Sequence, residues 1–393
     1  MSFKNQASER IRQEAPALID LSHRIHAHPE IGFEEVRASG WVADALAGFG
    51  FTVARGVCDL PTAFTATFGT GSLVVGVCAE YDSLPGIGHA CGHNIIAASA
   101  VGAALGLASV AGALDLTVRV LGTPAEEVGD AGGKILMLQR GAFDGVHVAM
   151  MIHPGPHDIA APKLIAASTF DVHYTGKAAH AAAFPELGVN AADAFTVAQV
   201  AIGLLRQHIR GTDRISGILT HGGDAPNIVP AATSGRFTIR SSKLEDLQEL
   251  RPRVHRCFEA GSVASGAAMR MIGGGQPYAE VVHDDELVQL YRRNAEQLGR
   301  TFVDSGPFVE RAGASTDMGN VSRQIPSIHP MIGISSLPAV NHQPEFAAHC
   351  ITAVADRALI DGAIGMAWTA IDLASTPALR ARLMDGVAAK AAG

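Results

Sequence analysis

Apolar positions recur at helical spacing early in the chain, then give way to short runs and alternations. Amphipathic stretches at 11–26 and 34–48 predict two helices. "TAFTATF" (62–68) and "SLVVGVC" (72–78) flank a Gly-Thr-Gly-Ser turn and predict paired strands. The apolar run from Ile95 to Leu114 is long enough to raise a membrane span. It is rich in Ala and Gly, follows a capping position at Asn94 and is the only such run, so it is read as a buried helix. "LTVRVLG" (116–122) and "VHVAMMI" (146–152) predict further strands, with helical segments between them. That alternation predicts an α/β sheet with helices on both faces.

The pattern changes after Pro162. "ASTFDVHYTG" alternates like a half-exposed strand, and "NAADAFTVAQVAIGLLRQ" reads as a helix. "RISGILTH" and "SGRFTIRS" read as strands, "LEDLQELRPRVHRCFEAG" as a helix and "AAMRMIG" as a last strand. The order β-α-β-β-α-β is that of a small ferredoxin-like unit. The α/β pattern resumes near Glu280, so the unit reads as an insertion. Residues 1–165 and 279–393 then form one α/β domain, with 166–278 inserted. "RARLMDGVAAKAAG" predicts a terminal helix with a loose end.

A chain of 393 residues suits two or three domains, and 48% hydrophobic against 17% charged residues marks a folded globular protein. A net charge of −8 without a basic face argues against a nucleic-acid partner. The first residues lack the apolar core of a signal peptide, and no membrane partner is expected. Five scattered cysteines form no disulfide framework and point to a reducing compartment, the cytoplasm. Histidine, at 17, is the unusual count.

Polar clusters fall just beyond three predicted strands. Asp82 and "GIGHACGHN" (86–94) follow the first, "GTPAEE" with Glu126 and Glu127 the second, and "MIHPG" with His153 the third. Sites in open α/β sheets gather at the carboxyl ends of strands, so these groups point at one region. "HACGH" has three readings: a glycine-rich turn with a structural Cys, a thiol nucleophile Cys91 beside His93, or a metal clamp. A pair two residues apart seldom activates its own neighbour, whereas thiolate and imidazole on a rigid turn suit zinc and related ions. Adjacent glutamates can divide labour there. A cation lowers the pKa of water towards ~7 and a free carboxylate takes its proton. Glu126 is assigned as that base and Glu127 as a ligand. His153 alone reads as a turn histidine, and His342 in "NHQPEF" could complete a site from the resumed α/β domain. His329 in "SIHPMIG" reads equally as near substrate or as a strand residue. His283, beside two Asp residues, is expected to be solvated.

Taken together, "HRIHAHPEIGFEE", "EYDSLPGIGHACGHN", "GTPAEE", "MMIHPGP" and "NHQPEF" resemble the M20 metallopeptidase and amidohydrolase superfamily. The resemblance covers nearly the whole chain and is to the branch with aminoacylase-like and aminobenzoyl-glutamate hydrolases. Within it, the chain looks most like M20 dipeptidases that split unusual dipeptides such as β-alanyl-lysine. It implies a zinc-peptidase-like catalytic domain with two divalent ions, Zn or Mn with Co possible. It implies Cys91, His93, Glu127, His153 and His342 as ligands, Glu126 as general base and Asp82 behind them. It also implies that the insertion is a lid and dimerisation domain, making a homodimer. There His180 matches a transition-state-stabilising histidine, Asn227 a substrate-contacting Asn and Arg240 a holder of a substrate carboxylate. Asp317 in "GASTDMGNVS" matches a branch motif and helps shape the site. Two departures stand out: Glu80-Tyr81-Asp82 replaces the His-x-Asp of the wider superfamily, and Asn94 replaces an Asp common in close relatives. The expected reaction is hydrolysis of the amide of a dipeptide or N-acyl amino acid, a small molecule. Aryl-amide hydrolysis of the aminobenzoyl-glutamate type and a non-catalytic, ligand-binding relative are the alternatives.

Overall fold

The computed structural model describes residues 2–310 and 313–391. Its main sheet contains β1 (Thr52–Arg55), β2 (Phe64–Phe68), β3 (Leu73–Glu80), β4 (Leu116–Thr123), β5 (Val148–Met150) and, late in the chain, a strand at Ser327–Ile328. The spatial order is β1-β2-β4-β3-β5 and then the late strand. β4, β3, β5 and the late strand run parallel, so their carboxyl ends share one edge. β2 runs antiparallel to β4 and β1 antiparallel to β2.

The predicted pairing of 62–68 with 72–78 is therefore wrong: β4 lies between them. Their Gly-Thr-Gly-Ser connection passes across the start of β4. A Cβ on Gly71 would sit 2.0 Å from the Asp115 carbonyl carbon, and one on Gly69 2.5 Å from the Leu116 carbonyl oxygen. The glycines serve a close crossing rather than a hairpin.

Helices cover both faces of the sheet. α1 (Phe3–Gln13), α2 (Ala15–Ala27), α3 (Val36–Gly48) and α4 (His93–Ala108) lie on one side. α5 (Gly133–Gln139) lies on the other, where Cys78, Leu121, Met137 and Ala149 form a second core. The single helix predicted over 11–26 is two, parted at Glu14. Pro16 stands in the first turn of α2, where its missing N–H is harmless, but inside one continuous helix it would clash with the preceding turn. α4 is buried almost throughout, as read from its all-round apolarity. Its N-cap is Gly92, not Asn94. The Asn94 amide donates instead to the Ser22 hydroxyl and the Cys350 carbonyl, tying α4 to its neighbours.

A two-residue gap separates β5 from β6 (His153–Gly155). The chain then forms a second sheet from β7 (Ala166–Thr175), β8 (Arg214–His221), β9 (Ala232–Ser241) and β10 (Ala268–Gly273), in the order β10-β7-β9-β8. α6 (Ala191–Leu205) and α7 (Leu244–Ser265) complete the β-α-β-β-α-β order. Alternation sorts the strands. Phe170, Val172, Phe237 and Ile239 join Phe195 and Phe258 of the helices in a separate core. Thr169, Thr238, Arg236 and Arg240, on the opposite face, look into a cleft.

The chain then returns to the main sheet with α8 (Asp285–Gln297), α9 (Pro307–Glu310), α10 (Met318–Ser322), β11 (Ser327–Ile328), β12 (Met331–Gly333), α11 (Pro344–His349), α12 (Ala353–Ser375) and α13 (Pro377–Ala391). β12 pairs parallel with β6. α12 is the one helix among the described residues long and apolar enough to cross a membrane. It escaped the sequence reading because Asp356, Arg357, Asp361 and Asp372 interrupt the run. It is largely buried against α4, α8 and α1, which is the ordinary setting of a core helix.

Candidate metal centre

Three parallel strands deliver the polar groups to one edge. Beyond β3, Asp82 lies fully buried and its carboxylate accepts from His93 Nδ1 at 3.0 Å. The other Asp82 oxygen accepts the Glu127 N–H at 2.9 Å, so one carboxylate fixes both an imidazole and the glutamate turn beyond β4. The Cys91-Gly92-His93 turn opens α4. Gly92 has φ 79°, and a Cβ there would sit 2.3 Å from Pro154 Cγ. Glycine therefore lets this turn press against the residue after His153, and Cys91 Sγ comes to 3.4 Å from His153 Nε2. His342 arrives from the loop after β12, in the left-handed region at φ 69°, its N–H held by the Ala90 carbonyl. Its Nε2 lies 3.4 Å from Glu127 Oε1.

Among the described residues the donors form three groups: two share Cys91, and the third, Glu80, His93 and Glu126, shares His93 with the first. Cys91, His93 and His153 offer ligand atoms within 4.8 Å of one another, and so do Cys91, Glu127 and His342. His93 Nε2 and Glu127 Oε1 are buried without a hydrogen-bond partner. Buried polar atoms are rarely left so, and these unpartnered atoms point at each other across 3.8 Å. Thiolate, imidazole and carboxylate are a borderline-soft donor set that suits Zn²⁺ and related ions. The residues fit a metal centre.

Electrostatics separate the two glutamates. Burial, then the charges of Glu80 and Glu127, push the Glu126 carboxyl well above its ordinary value. Burial acts the same way on Glu127, but the His342 imidazole 3.4 Å away and the His93 charge outweigh it and hold Glu127 below. Burial depresses His153, favouring the neutral, ligating imidazole. Burial and Glu127 raise the Cys91 thiol, and a divalent cation is the partner that favours thiolate there.

The cleft in front of these groups measures about 610 Å³ and is lined by Glu126, Cys91, Tyr278 and the open face of the second sheet. Arg240 projects into it, donates to the Ser315 hydroxyl at 2.8 Å and has no carboxylate partner among the described residues. Burial lowers its pKa, so the guanidinium sits largely desolvated. His180 and Asn227 are brought together but not to the cleft. Ala181 N–H donates to the Asn227 carbonyl and His180 bridges Ile228, on an exposed loop of the inserted unit. Neither lines the cleft of its own chain.

Lys134 and the burial of His283 escaped the sequence reading, and His329 takes the cleft-side one of its two readings. Lys134, wholly buried, binds Glu80 at 2.5 Å and Asp317 at 2.6 Å, and the free Glu80 oxygen lies 3.5 Å from His93 Nε2. As the lone charge in "GGKILML" it was visible, but Lys is normally a surface residue. His329 lines the cleft, buried with both ring nitrogens unpartnered, and stacks on His153 at 5.4 Å. His283 is not solvated: it is half-buried, with Nε2 3.0 Å from the Pro162 carbonyl.

A thiol, three imidazoles and a pair of electrostatically distinct glutamates at the carboxyl edge of a parallel sheet define a metal-dependent hydrolase. Residues 76–357 match peptidase family M20/M25/M40, and the chain belongs to that family as a metal-dependent amide hydrolase. It is 36% identical to a Xaa-Arg dipeptidase of Mus musculus over 391 residues, covering 96% of this chain and 90% of the relative. It is 34% identical to one of the polypeptides of the p-aminobenzoyl-glutamate hydrolase of Escherichia coli (strain K12), over 68% of this chain and 58% of that protein. Among solved structures, a dinuclear metal-binding peptidase of the M20 family from Bacillus subtilis superposes with TM-score 0.64 at 21% identity. That alignment covers 90% of this chain and 98% of the other.

Proposed function

We propose that the chain is a dipeptidase or N-acyl-amino-acid hydrolase that uses two divalent ions and releases an amino acid bearing a free carboxylate. The observation that carries this reading is the placement of Cys91 in two of the three donor groups, where its thiolate would be within reach of both ions. Cys91, His93 and His153 would hold one, and Cys91, Glu127 and His342 the other. Zn²⁺ and Mn²⁺, with Co²⁺ as a further possibility, suit these donors. When bound, the ions polarise the amide carbonyl and acidify the attacking water.

The chain's own groups do the rest. Glu126, whose pKa is raised by burial, takes the proton from water and hands it to the leaving nitrogen. Asp82 keeps His93 in one orientation and one tautomer. Arg240 pairs with the substrate carboxylate, a role supported by its burial in the cleft without a counter-ion. Residues 166–278 act as a lid on the catalytic domain formed by 1–165 and 279–393. His180 and Asn227 lie away from their own cleft, which supports their delivery to the site of a second copy of the chain in a homodimer. Five free thiols suit a cytoplasmic protein.

The test is a substrate screen with Zn²⁺-, Mn²⁺- and Co²⁺-loaded protein. It includes Xaa-Arg dipeptides, β-alanyl-lysine, N-acyl amino acids and aminobenzoyl-glutamate. Hydrolysis of free-carboxylate substrates is expected, with their amidated counterparts turned over at least ~10-fold less well through loss of the charge-assisted Arg240 bond. Equal turnover of acid and amide forms would remove Arg240 from the reading. No hydrolysis of any amide would remove the reading itself.

A further inference from the structure

Glu35 stands immediately before α3 with its side chain fully buried, away from the ligand atoms. One of its oxygens accepts the Ala125 N–H at 2.8 Å and the other accepts the Thr62 hydroxyl at 2.9 Å. Ala125 directly precedes Glu126 and has φ 57°, a left-handed conformation that any residue with a Cβ resists. The same N-terminal turn supports this loop sterically. A Cβ on Gly32 would meet Ala125 Cα at 3.0 Å and Val128 Cγ1 at 2.8 Å. It also supports the loop beyond β3: the Glu30 carbonyl accepts the Ser83 N–H at 2.8 Å and the Ser83 hydroxyl at 3.0 Å. Residues 30–35 therefore hold the loop carrying Asp82 and the loop carrying Glu126 and Glu127 at once.

We propose that Glu35 is a positioning residue, whose two hydrogen bonds hold Ala125 in the left-handed turn that aims Glu126 and Glu127 at the metal centre. The inference rests on the roles given above to those two glutamates. A carboxyl retained only for packing would be costly there. Burial, then the Asp82 charge, raise it to about 7, and an apolar side chain would fill the space without that penalty. What an apolar side chain cannot supply is an acceptor for the Ala125 N–H beside a strained φ.

Glycine at 125 separates positioning from packing, because glycine takes positive φ without a Cβ clash. The parent, Glu35→Ala, Ala125→Gly and the double variant are each stripped of metal and titrated with Co²⁺, then assayed. Melting temperature and circular dichroism report folding. Glu35→Ala is expected to weaken the Co²⁺ site that uses Glu127 by ~10–100-fold, the usual effect of losing a group that orients a ligand. Its kcat should fall by a similar factor while KM moves less than ~3-fold, because binding groups on the second sheet are untouched. In the Ala125→Gly background the same change should cost at least ~5-fold less, a coupling expected only between groups that act through one backbone turn. Glu35→Gln keeps a carbonyl acceptor and should recover most of the loss. Should Glu35→Ala not fold, Glu35→Asp carries the comparison, since it keeps the charge but withdraws it one methylene from Ala125. Equal losses in both backgrounds, or a lower melting temperature with Co²⁺ affinity and kcat unchanged, overturn the proposal. A parent that binds Co²⁺ but hydrolyses no amide refutes the functional reading instead. The Co²⁺ affinities then still test Glu35.

Discussion

Replacing Lys134 by Met removes an ammonium while keeping most of the side chain's volume. Lys134, Glu80 and Asp317 are all fully buried. Lys134 holds Glu80 at 2.5 Å and Asp317 at 2.6 Å, and its own N–H is bound to the other Asp317 oxygen at 2.8 Å. Without the ammonium, two carboxylates face each other in a site closed to water. Breaking a buried ion pair from one side costs about 3–5 kcal/mol. Unfolding entropy of roughly 2.1 cal/mol/K per residue over a domain of about 280 residues gives about 0.6 kcal/mol/K, hence a fall in Tm of about 5–8 °C. The loss should depend on pH. Burial already lifts the Asp317 carboxyl to about 6 with Lys134 beside it. Lys134→Met removes a charge that lowers the Asp317 carboxyl and so lifts it further. A carboxyl whose folded-state pKa is raised is best accommodated when protonated, so its contribution is present at low pH and is lost as pH rises through the raised value. The deficit should thus be largest near pH 8 and shrink towards pH 5. Calorimetry on metal-stripped parent and variant measures it free of ligand stabilisation. A Tm difference below about 2 °C at pH 8, or one that does not shrink at pH 5, would refute the reasoning.

Three other outcomes test the site. Glu126→Gln keeps shape but cannot take a proton, so kcat should fall ~10²–10⁴-fold with metal content intact, whereas Glu127→Gln should lose metal as well; equal metal loss in both would reverse their roles. Cys91 should resist alkylation in metal-loaded protein and become reactive once metal is stripped; a Cys91→Ser variant with full metal content and activity would exclude the thiolate as a ligand. Mixing inactive His180→Ala with inactive Glu126→Gln should restore activity through heterodimers with one intact composite site. Demonstrated exchange of protomers without recovered activity would leave His180 outside the neighbour's site.

The convergence of Cys91, His93, Glu127 and His153 was legible because each sits in a local motif at the end of a strand, and parallel strands bring such ends to one edge; His342 comes from a distant loop. The strand neighbours were not. β2 and β3 are separated by four residues, and only the distant β4 shows that the glycines between them serve a crossing. The break at Glu14 fits Pro16, which costs stability inside a continuous helix but none in a first turn. Glu35 and Lys134 stayed hidden for a different reason. A lone Glu before a helix reads as an ordinary terminus and a lone Lys as a surface charge, and nothing local tells that the fold closes over them. Matching motifs gave His180 and Asn227 separate roles at the site, but that the two share one loop cluster away from the cleft is set by the fold.

The proposed function turns on Cys91, whose thiolate would serve both of the two proposed ions. Its most direct test is a single titration of metal-free protein with Co²⁺, following the thiolate-to-metal charge-transfer absorption, the equivalents bound and the rate of dipeptide hydrolysis together. The account predicts a charge-transfer band from the first equivalent that changes again with the second, and full activity at two equivalents per chain. Activity in the metal-free protein, or full activity at saturation with no thiolate band, would contradict it.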